Sequence, residues 1–140
     1  MSAEPLRVLV VDDNATLRRL VCLRLGVERD LEVIGEAGNG AVAVELAEAL
    51  RPDVVLLDLS MPVMDGLEAL PPLRERLPEA HLIVLSGFDQ ASLGSRVTEL
   101  GADAYVEKGA SLDELVEIIR RAGSSQVIDL TDQSASSERP

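Results

Sequence analysis

Val54-Val55-Leu56-Leu57-Asp58 decides the fold. Four consecutive apolar side chains, two of them β-branched, put apolar groups on both faces of an extended segment. The run is too short for a helix and lacks the 3.6-residue spacing of an amphipathic one. A strand that is apolar on both faces is buried on both, as in a parallel sheet covered by helices above and below. The run ends in a carboxylate, Asp58, at the strand's carboxyl end.

Working outward, the same unit recurs. Leu6–Val11 is a strand, apolar nearly throughout. Asn14 caps a helix running to about Leu25, with Leu17, Leu20, Val21 and Leu25 directed inward. Leu31–Glu36 is a second, weaker strand. Asn39-Gly40 marks a turn into a helix ending near Leu50. After Asp58, Met64-Asp65-Gly66 reads as a tight turn into a helix from about Leu67. Pro71-Pro72 interrupts that pattern, so a kink or a restart at Pro72 is expected. Leu82–Leu85 is a fourth strand and Ala91–Leu100 a modest helix weakened by Gly94. Ala104–Glu107 is a fifth strand. Ser111 caps a last helix from Leu112 to about Ala122, with Leu115, Ile118 and Ile119 on one face. Five strand–helix units with right-handed crossovers predict an α/β, flavodoxin-like doubly wound parallel sheet in the order 2-1-3-4-5. Residues 1–122 form the folded unit. Residues 123–140 read as a polar, flexible C-terminal tail in which Val127, Ile128 and Leu130 are candidates for surface docking.

Composition narrows the function. A 140-residue chain fits one domain of about 100–150 residues. Aromatics make up 1%, so the core is aliphatic and no base-stacking surface exists. A net charge of −12 opposes nucleic-acid and anionic-lipid binding and favours basic or mixed protein surfaces, or cations. The single cysteine, Cys22, excludes an intramolecular disulfide, suits the cytosol and reads as a small core residue. No signal-peptide pattern or membrane-length apolar run is present.

In an open α/β sheet, sites form beyond the carboxyl ends of the strands at a switch point. There the sequence places Asp12 and Asp13 after strand one, Asp58 at the end of strand three, Ser86 after strand four and Lys108 after strand five. Three carboxylates meeting in one crevice repel by about 4 kcal/mol per pair at ~4 Å and an effective dielectric near 20. Such a cluster persists if a cation neutralises it or some members take up protons. Oxygen-only ligands suit Mg²⁺, and the absence of His and Cys from the set disfavours zinc. Asp58 can act as a carboxylate nucleophile, with Lys108 and Ser86 reaching phosphoryl oxygens. Of 13 basic residues, Lys108 is the only lysine. A compact ammonium at that one place suggests a specific need. The bland alternatives are that Asp12-Asp13 caps the first helix, that Ser86 is a turn residue and that Tyr105 is core packing. His81 reads as a strand-edge residue at the far end of its strand, and Met61 and Met64 as loop packing.

Val10-Val11-Asp12-Asp13, Leu56-Leu57-Asp58-Leu59-Ser60-Met61-Pro62-Val63-Met64-Asp65-Gly66, Val84-Leu85-Ser86-Gly87 and Ala104-Tyr105-Val106-Glu107-Lys108 together resemble the receiver domain of two-component response regulators. The likeness covers roughly Leu6 to Ala122. It implies that Asp58 accepts phosphate from a sensor histidine kinase or phosphotransfer protein. Asp13, Asp58 and the Ser60 carbonyl would hold Mg²⁺, with Asp12 contributing through water. Ser86 and Lys108 would contact the phosphoryl group, and Tyr105 would be the switch aromatic. Output would change on the face made by the fourth helix, fifth strand and fifth helix. The resemblance further implies a cytoplasmic signalling module rather than an enzyme, with at most slow self-phosphorylation and self-dephosphorylation, and a homodimer that forms on phosphorylation.

Lys108-Gly109 stands where many members carry Lys-Pro, and Lys108-Gly109-Ala110-Ser111 is similar to the receivers of LuxR-related regulators. Phe88 matches a variable position that tunes phosphate lifetime. Its bulk is expected to slow hydrolysis, an idea that a Phe88→Asn variant with unchanged decay would remove. Two rival functions are weighed. An aspartyl-phosphate phosphatase needs a second Asp two residues after the nucleophile, where this chain has Ser60. A phosphorylation-free receiver-like module sits poorly with the intact set of Asp12, Asp13, Asp58, Ser86 and Lys108. A DNA-binding output domain would need roughly 60 more residues, so the sequence reads as a receiver, either stand-alone or cut from a longer chain, the former slightly favoured by a tail unlike a purification tag.

Overall fold

Each apolar run becomes a strand of one parallel sheet. The structure, a computed structural model, describes residues 4–59, 61, 63–87 and 90–131. The strands are β1 (Leu6–Val11), β2 (Leu31–Ala37), β3 (Val54–Asp58), β4 (His81–Ser86) and β5 (Ala104–Glu107). They lie in the order β2-β1-β3-β4-β5, every pair parallel. The intervening helices are α1 (Ala15–Gly26), α2 (Gly40–Leu50), α3 (Gly66–Arg76), α4 (Gln90–Glu99) and α5 (Leu112–Thr131). This is the expected flavodoxin-like arrangement.

The period-2 alternation of a strand divides the core into two layers. Val55 and Leu57 of β3 pack with Ala43 and Ala47 of α2, Ala69, Leu70 and Leu73 of α3 and Val97 of α4. Val54 and Leu56 pack on the other face with Val21 and Leu25 of α1 and with Leu115, Val116 and Ile119 of α5. β3 is buried at every residue. Leu56 and Leu57 each contribute about 1.5–3 kcal/mol by leaving water. Helix starts follow their capping residues. The side chains of Asn14 and Asn39 accept from the amides of Leu17 and Val42, and Asp65 with Glu68 and Ser111 with Glu114 form reciprocal capping boxes.

Three expectations need correction. Leu20 does not face inward. It is 49% exposed, because the line of α1 that meets the sheet is Leu17, Val21 and Leu25, and Leu20 falls with exposed Leu23 and Val27 on the outer side. Pro71-Pro72 does not restart a helix at Pro72, since α3 runs unbroken from Gly66 to Arg76. The two missing N–H groups forgo bonds to the carbonyls of Leu67 and Glu68 only. The capping box and the burial of Ala69, Leu70 and Leu73 hold the helix, while Pro71 points to solvent. Finally, α5 does not stop near Ala122 but continues to Thr131, so residues 123–131 of the expected tail are helical. Gly123 is a close-approach residue, because a Cβ there would lie 2.7 Å from Cδ1 of Leu6. A lone glycine costs a helix only about 1 kcal/mol, and no proline follows before Thr131. The side chains of Val127, Ile128 and Leu130, and all of residues 132–140, lie outside the described part. No helix among the described residues is long and apolar enough to cross a membrane.

Candidate functional site

β1 and β3 are neighbours in register, with Val11 opposite Leu57. The next residues along each strand therefore project into the same space. One carboxylate oxygen from each of Asp12, Asp13 and Asp58 lies within 4.8 Å of the others. Asp12 and Asp58 are buried, at 6% and 2% exposure, whereas Asp13 opens to solvent. Lys108 reaches in from beyond β5. Its Nζ is 3.1 Å from Oδ1 of Asp58 and 3.6 Å from Oδ2 of Asp12. The backbone of Lys108 donates to the carbonyl of Ser86 at 2.8 Å, which ties it to the end of β4. Ser86 itself is buried. Tyr105 lies opposite Val84 in β5 and packs, half-buried, on the α2–α3–α4 side of the sheet. Met61 and Met64 pack against the same cluster. Ser60 and Phe88 lie outside the described residues.

The loops that carry these groups are held by bonds, not by chance. The amide of Asp12 donates to the carbonyl of Ala37 at 3.0 Å, and Oδ1 of Asp12 accepts from the amide of Asn14 at 2.9 Å. Two glycines that the sequence marked only as turn residues shape the β3–α3 loop. The amide of Gly66 donates to the carbonyl of Leu59, and a Cβ at Gly66 would sit 2.5 Å from the carbonyl oxygen of Asp58. The amide of Gly40 donates to the carbonyl of Met64, and a Cβ there would sit 2.6 Å from that oxygen. Asn-Gly and Asp-Gly at two helix starts were the available signal. Their role in letting α2 and α3 close on one loop depends on contacts between elements, which a sequence does not display. Val63 in this loop has a φ of 68° and is 83% exposed. A β-branched residue held in this region stores strain in the segment between β3 and α3.

Three carboxylates and one ammonium leave an excess of negative charge that a divalent cation would balance. The donors are all oxygens, which suits Mg²⁺. An octahedral shell at about 2.0–2.1 Å places trans oxygens roughly 4 Å apart, so a set already within 4.8 Å needs only small side-chain adjustments. The residues fit the ion. His81 begins β4 at the end opposite the cluster. Cys22 is half-buried on α1 and packs against the α1–α5 layer. Burial, helped by the nearby Glu36, pushes its thiol up to about 11.

Residues 8–120 match the family described as response regulator receiver domain. Over 125 residues the chain is 36% identical to the nitrate/nitrite response regulator protein NarL of Escherichia coli K12, covering 89% of this chain and 58% of that protein. The chain thus spans less than two thirds of the length of such curated relatives. Among solved structures, the signal receiver domain of the response regulator NarL from Mycobacterium tuberculosis superposes with a TM-score of 0.80 at 33% identity, covering 86% of this chain and 98% of that one. A DNA-binding response regulator of the LuxR family from Staphylococcus aureus gives a TM-score of 0.78 at 31% identity, covering 84% and 98%.

Proposed function

The chain belongs to the response regulator receiver domain family of two-component systems, and from that premise we propose that Asp58 is its phosphoacceptor. A carboxylate oxygen of Asp58 attacks the phosphorus of a phosphohistidine on a sensor kinase or phosphotransfer protein. The P–N bond breaks, its electron pair stays on the imidazole, and an acyl phosphate forms on Asp58. Asp13, Asp58 and the Ser60 carbonyl would hold Mg²⁺ directly and Asp12 through water. The ion, when bound, supplies charge neutralisation for the transferring oxygens. The observation that carries this reading is the placement of Lys108 Nζ, 3.1 Å from the Asp58 carboxylate inside the acidic cluster. An ammonium there pairs with the unphosphorylated carboxylate and is within reach of phosphoryl oxygens once they arrive.

The output step is a biased equilibrium. Phosphorylation adds about −1.5 to −2 charge and new acceptor oxygens. Lys108 and the Ser86 hydroxyl bind those oxygens, which favours one arrangement of the segment from Ser86 into α4. Tyr105 turns inward as that segment moves. The packing of Tyr105 in the same layer as Val97 of α4 supports this coupling. The α4–β5–α5 face then changes its affinity for a partner, an output domain or a second copy by the differential binding of the two states. The signalling unit acts in the cytoplasm without catalytic turnover beyond slow gain and loss of its own phosphate.

The test is incubation with a small phosphodonor and Mg²⁺, followed by intact-mass measurement. One added phosphoryl group, absent from Asp58→Asn and abolished by chelator, is expected. An Asp58→Asn protein phosphorylated as fast as the wild type would overturn the assignment.

A further inference from the structure

Arg18 joins three parts of the chain at the edge of the acidic cluster. Its Nη1 donates to the backbone carbonyl of Asp12 at 2.5 Å and its Nε to Oε1 of Glu36 at 3.0 Å. The same Nη1 lies 3.7 Å from where a Cβ on Gly38 would be. The guanidinium thus reaches from α1 across the end of β2 to the β1–α1 turn. It is only 22% exposed, against 46% for its partner Glu36.

The carbonyl of Asp12 belongs to the peptide plane that joins Asp12 to Asp13. Holding that oxygen fixes the plane, and the plane sets the direction in which Asp13 leaves the backbone. The flanking groups are bonded separately, the Asp12 amide to Ala37 and the Asn14 amide to the Asp12 carboxylate. Asp13, however, is exposed, so packing gives its side chain little support. A planar fork that spans a carbonyl and a carboxylate can brace such a turn, whereas an ammonium cannot bond both in fixed geometry.

We propose that Arg18 is a positioning residue that aims Asp13 at the divalent ion by locking the Asp12–Asp13 peptide. The inference rests on the reading of Asp13 and Asp58 as Mg²⁺ ligands. It carries a sign opposite to that of simple electrostatics. Removing a positive charge from beside an acidic site should tighten cation binding. Loss of an outer-shell brace weakens metal affinity by about 10–100-fold.

Isothermal titration of Mg²⁺ into the full chain separates the cases. Arg18→Met, shown to be folded by circular dichroism, is expected to bind Mg²⁺ about tenfold or more weakly than the wild type. Arg18→Lys should fall between the two. Phosphorylation by a small donor should show the defect in the Mg²⁺ concentration needed for half-saturation, with the rate at saturating Mg²⁺ near wild type. Unchanged affinity in Arg18→Met would make Arg18 a surface brace alone, and tighter binding would make it a charge alone. Either result overturns the proposal. Should Arg18→Met fail to fold, wild-type affinity in Arg18→Lys overturns it instead. A wild-type chain that bound no Mg²⁺ would remove the metal reading beneath it, an outcome distinct from wild-type binding with an indifferent Arg18 variant.

Discussion

Lys108→Met takes the chain's single ammonium away from beside three carboxylates and leaves an apolar stem of similar length. Nζ stands 3.1 Å from Asp58 and 3.6 Å from Asp12. At an effective dielectric near 20 these separations correspond to roughly 5 kcal/mol each of gross attraction. Most of that is offset by the desolvation of Lys108 and the two buried acids, and Lys108 remains 27% exposed, so screening reduces it further. A net contribution of about 1–2 kcal/mol is left. The Asp12 and Asp58 carboxylates that pair with the ammonium are among those proposed to face the divalent ion, so on that reading the two compete. The variant should therefore melt below the wild type without Mg²⁺, yet bind Mg²⁺ about tenfold more tightly, since each 1.4 kcal/mol is tenfold. Titration calorimetry gives the affinity, and melts with and without Mg²⁺ give the stability. The Mg²⁺-induced rise in Tm should be larger in the variant. Unchanged or weaker Mg²⁺ binding by a folded Lys108→Met protein would refute the idea that ammonium and metal share one set of oxygens.

Gly66→Ala places a methyl 2.5 Å from the Asp58 carbonyl and 2.7 Å from Cα of Leu59. A loss of about 2–3 kcal/mol in urea unfolding is expected despite alanine's better helix propensity, together with weaker Mg²⁺ binding. Arg120 pairs with Glu28, Asp30 and Glu117 and, with Arg24, clasps α5 to the end of α1. The bond from Arg24 and then that from Arg120 hold the Glu28 carboxyl below its usual range, and Arg120 does the same for Asp30. Depressed carboxyl values stabilise the fold above about pH 4, and that stability is lost as pH falls through the folded-state values. Arg120→Met should therefore melt below the wild type at pH 7, with the gap narrowing as pH falls below about 4 and through the depressed folded-state values. A gap that does not narrow with falling pH would count against the clasp. With its thiol pushed up to about 11 from 9.0, Cys22 should alkylate about a hundredfold more slowly than a free thiol at pH 8. The rate should recover in denaturant. The stability that goes with this protonated thiol is present below about pH 9 and declines as pH rises towards 11.

What the sequence disclosed follows the reach of local rules. Every strand was legible because apolar β-branched runs bounded by turn residues leave few alternatives. The carboxylates and Lys108 were legible because strand ends in a doubly wound sheet converge. Leu20 misled because three-residue spacing fits two adjacent stripes of one helix, and only the neighbouring elements decide which stripe is covered. No restart occurs at Pro72 because the burial of Ala69, Leu70 and Leu73 offsets the local cost of the prolines, and that burial comes from other elements. The length of α5 is not legible because the polar composition after Ala122 resembles a tail, whereas the helix continues to Thr131 with Gly123 packed against Leu6. Gly66, Gly40 and Arg18 act across more than one element, and no periodicity marks such residues.

Asp13 and Asp58 are proposed to share one divalent ion at the phosphorylated carboxylate, with Lys108 contacting the phosphoryl group. A crystal structure of the chain grown with Mg²⁺ and beryllium trifluoride, a phosphoryl mimic, tests it in one step. The account predicts the mimic on the Asp58 carboxylate, a single Mg²⁺ touching Asp13, Asp58 and the Ser60 carbonyl, and Lys108 Nζ within hydrogen-bond distance of a fluorine. The mimic bound at another residue, or Mg²⁺ held without Asp58, would contradict it.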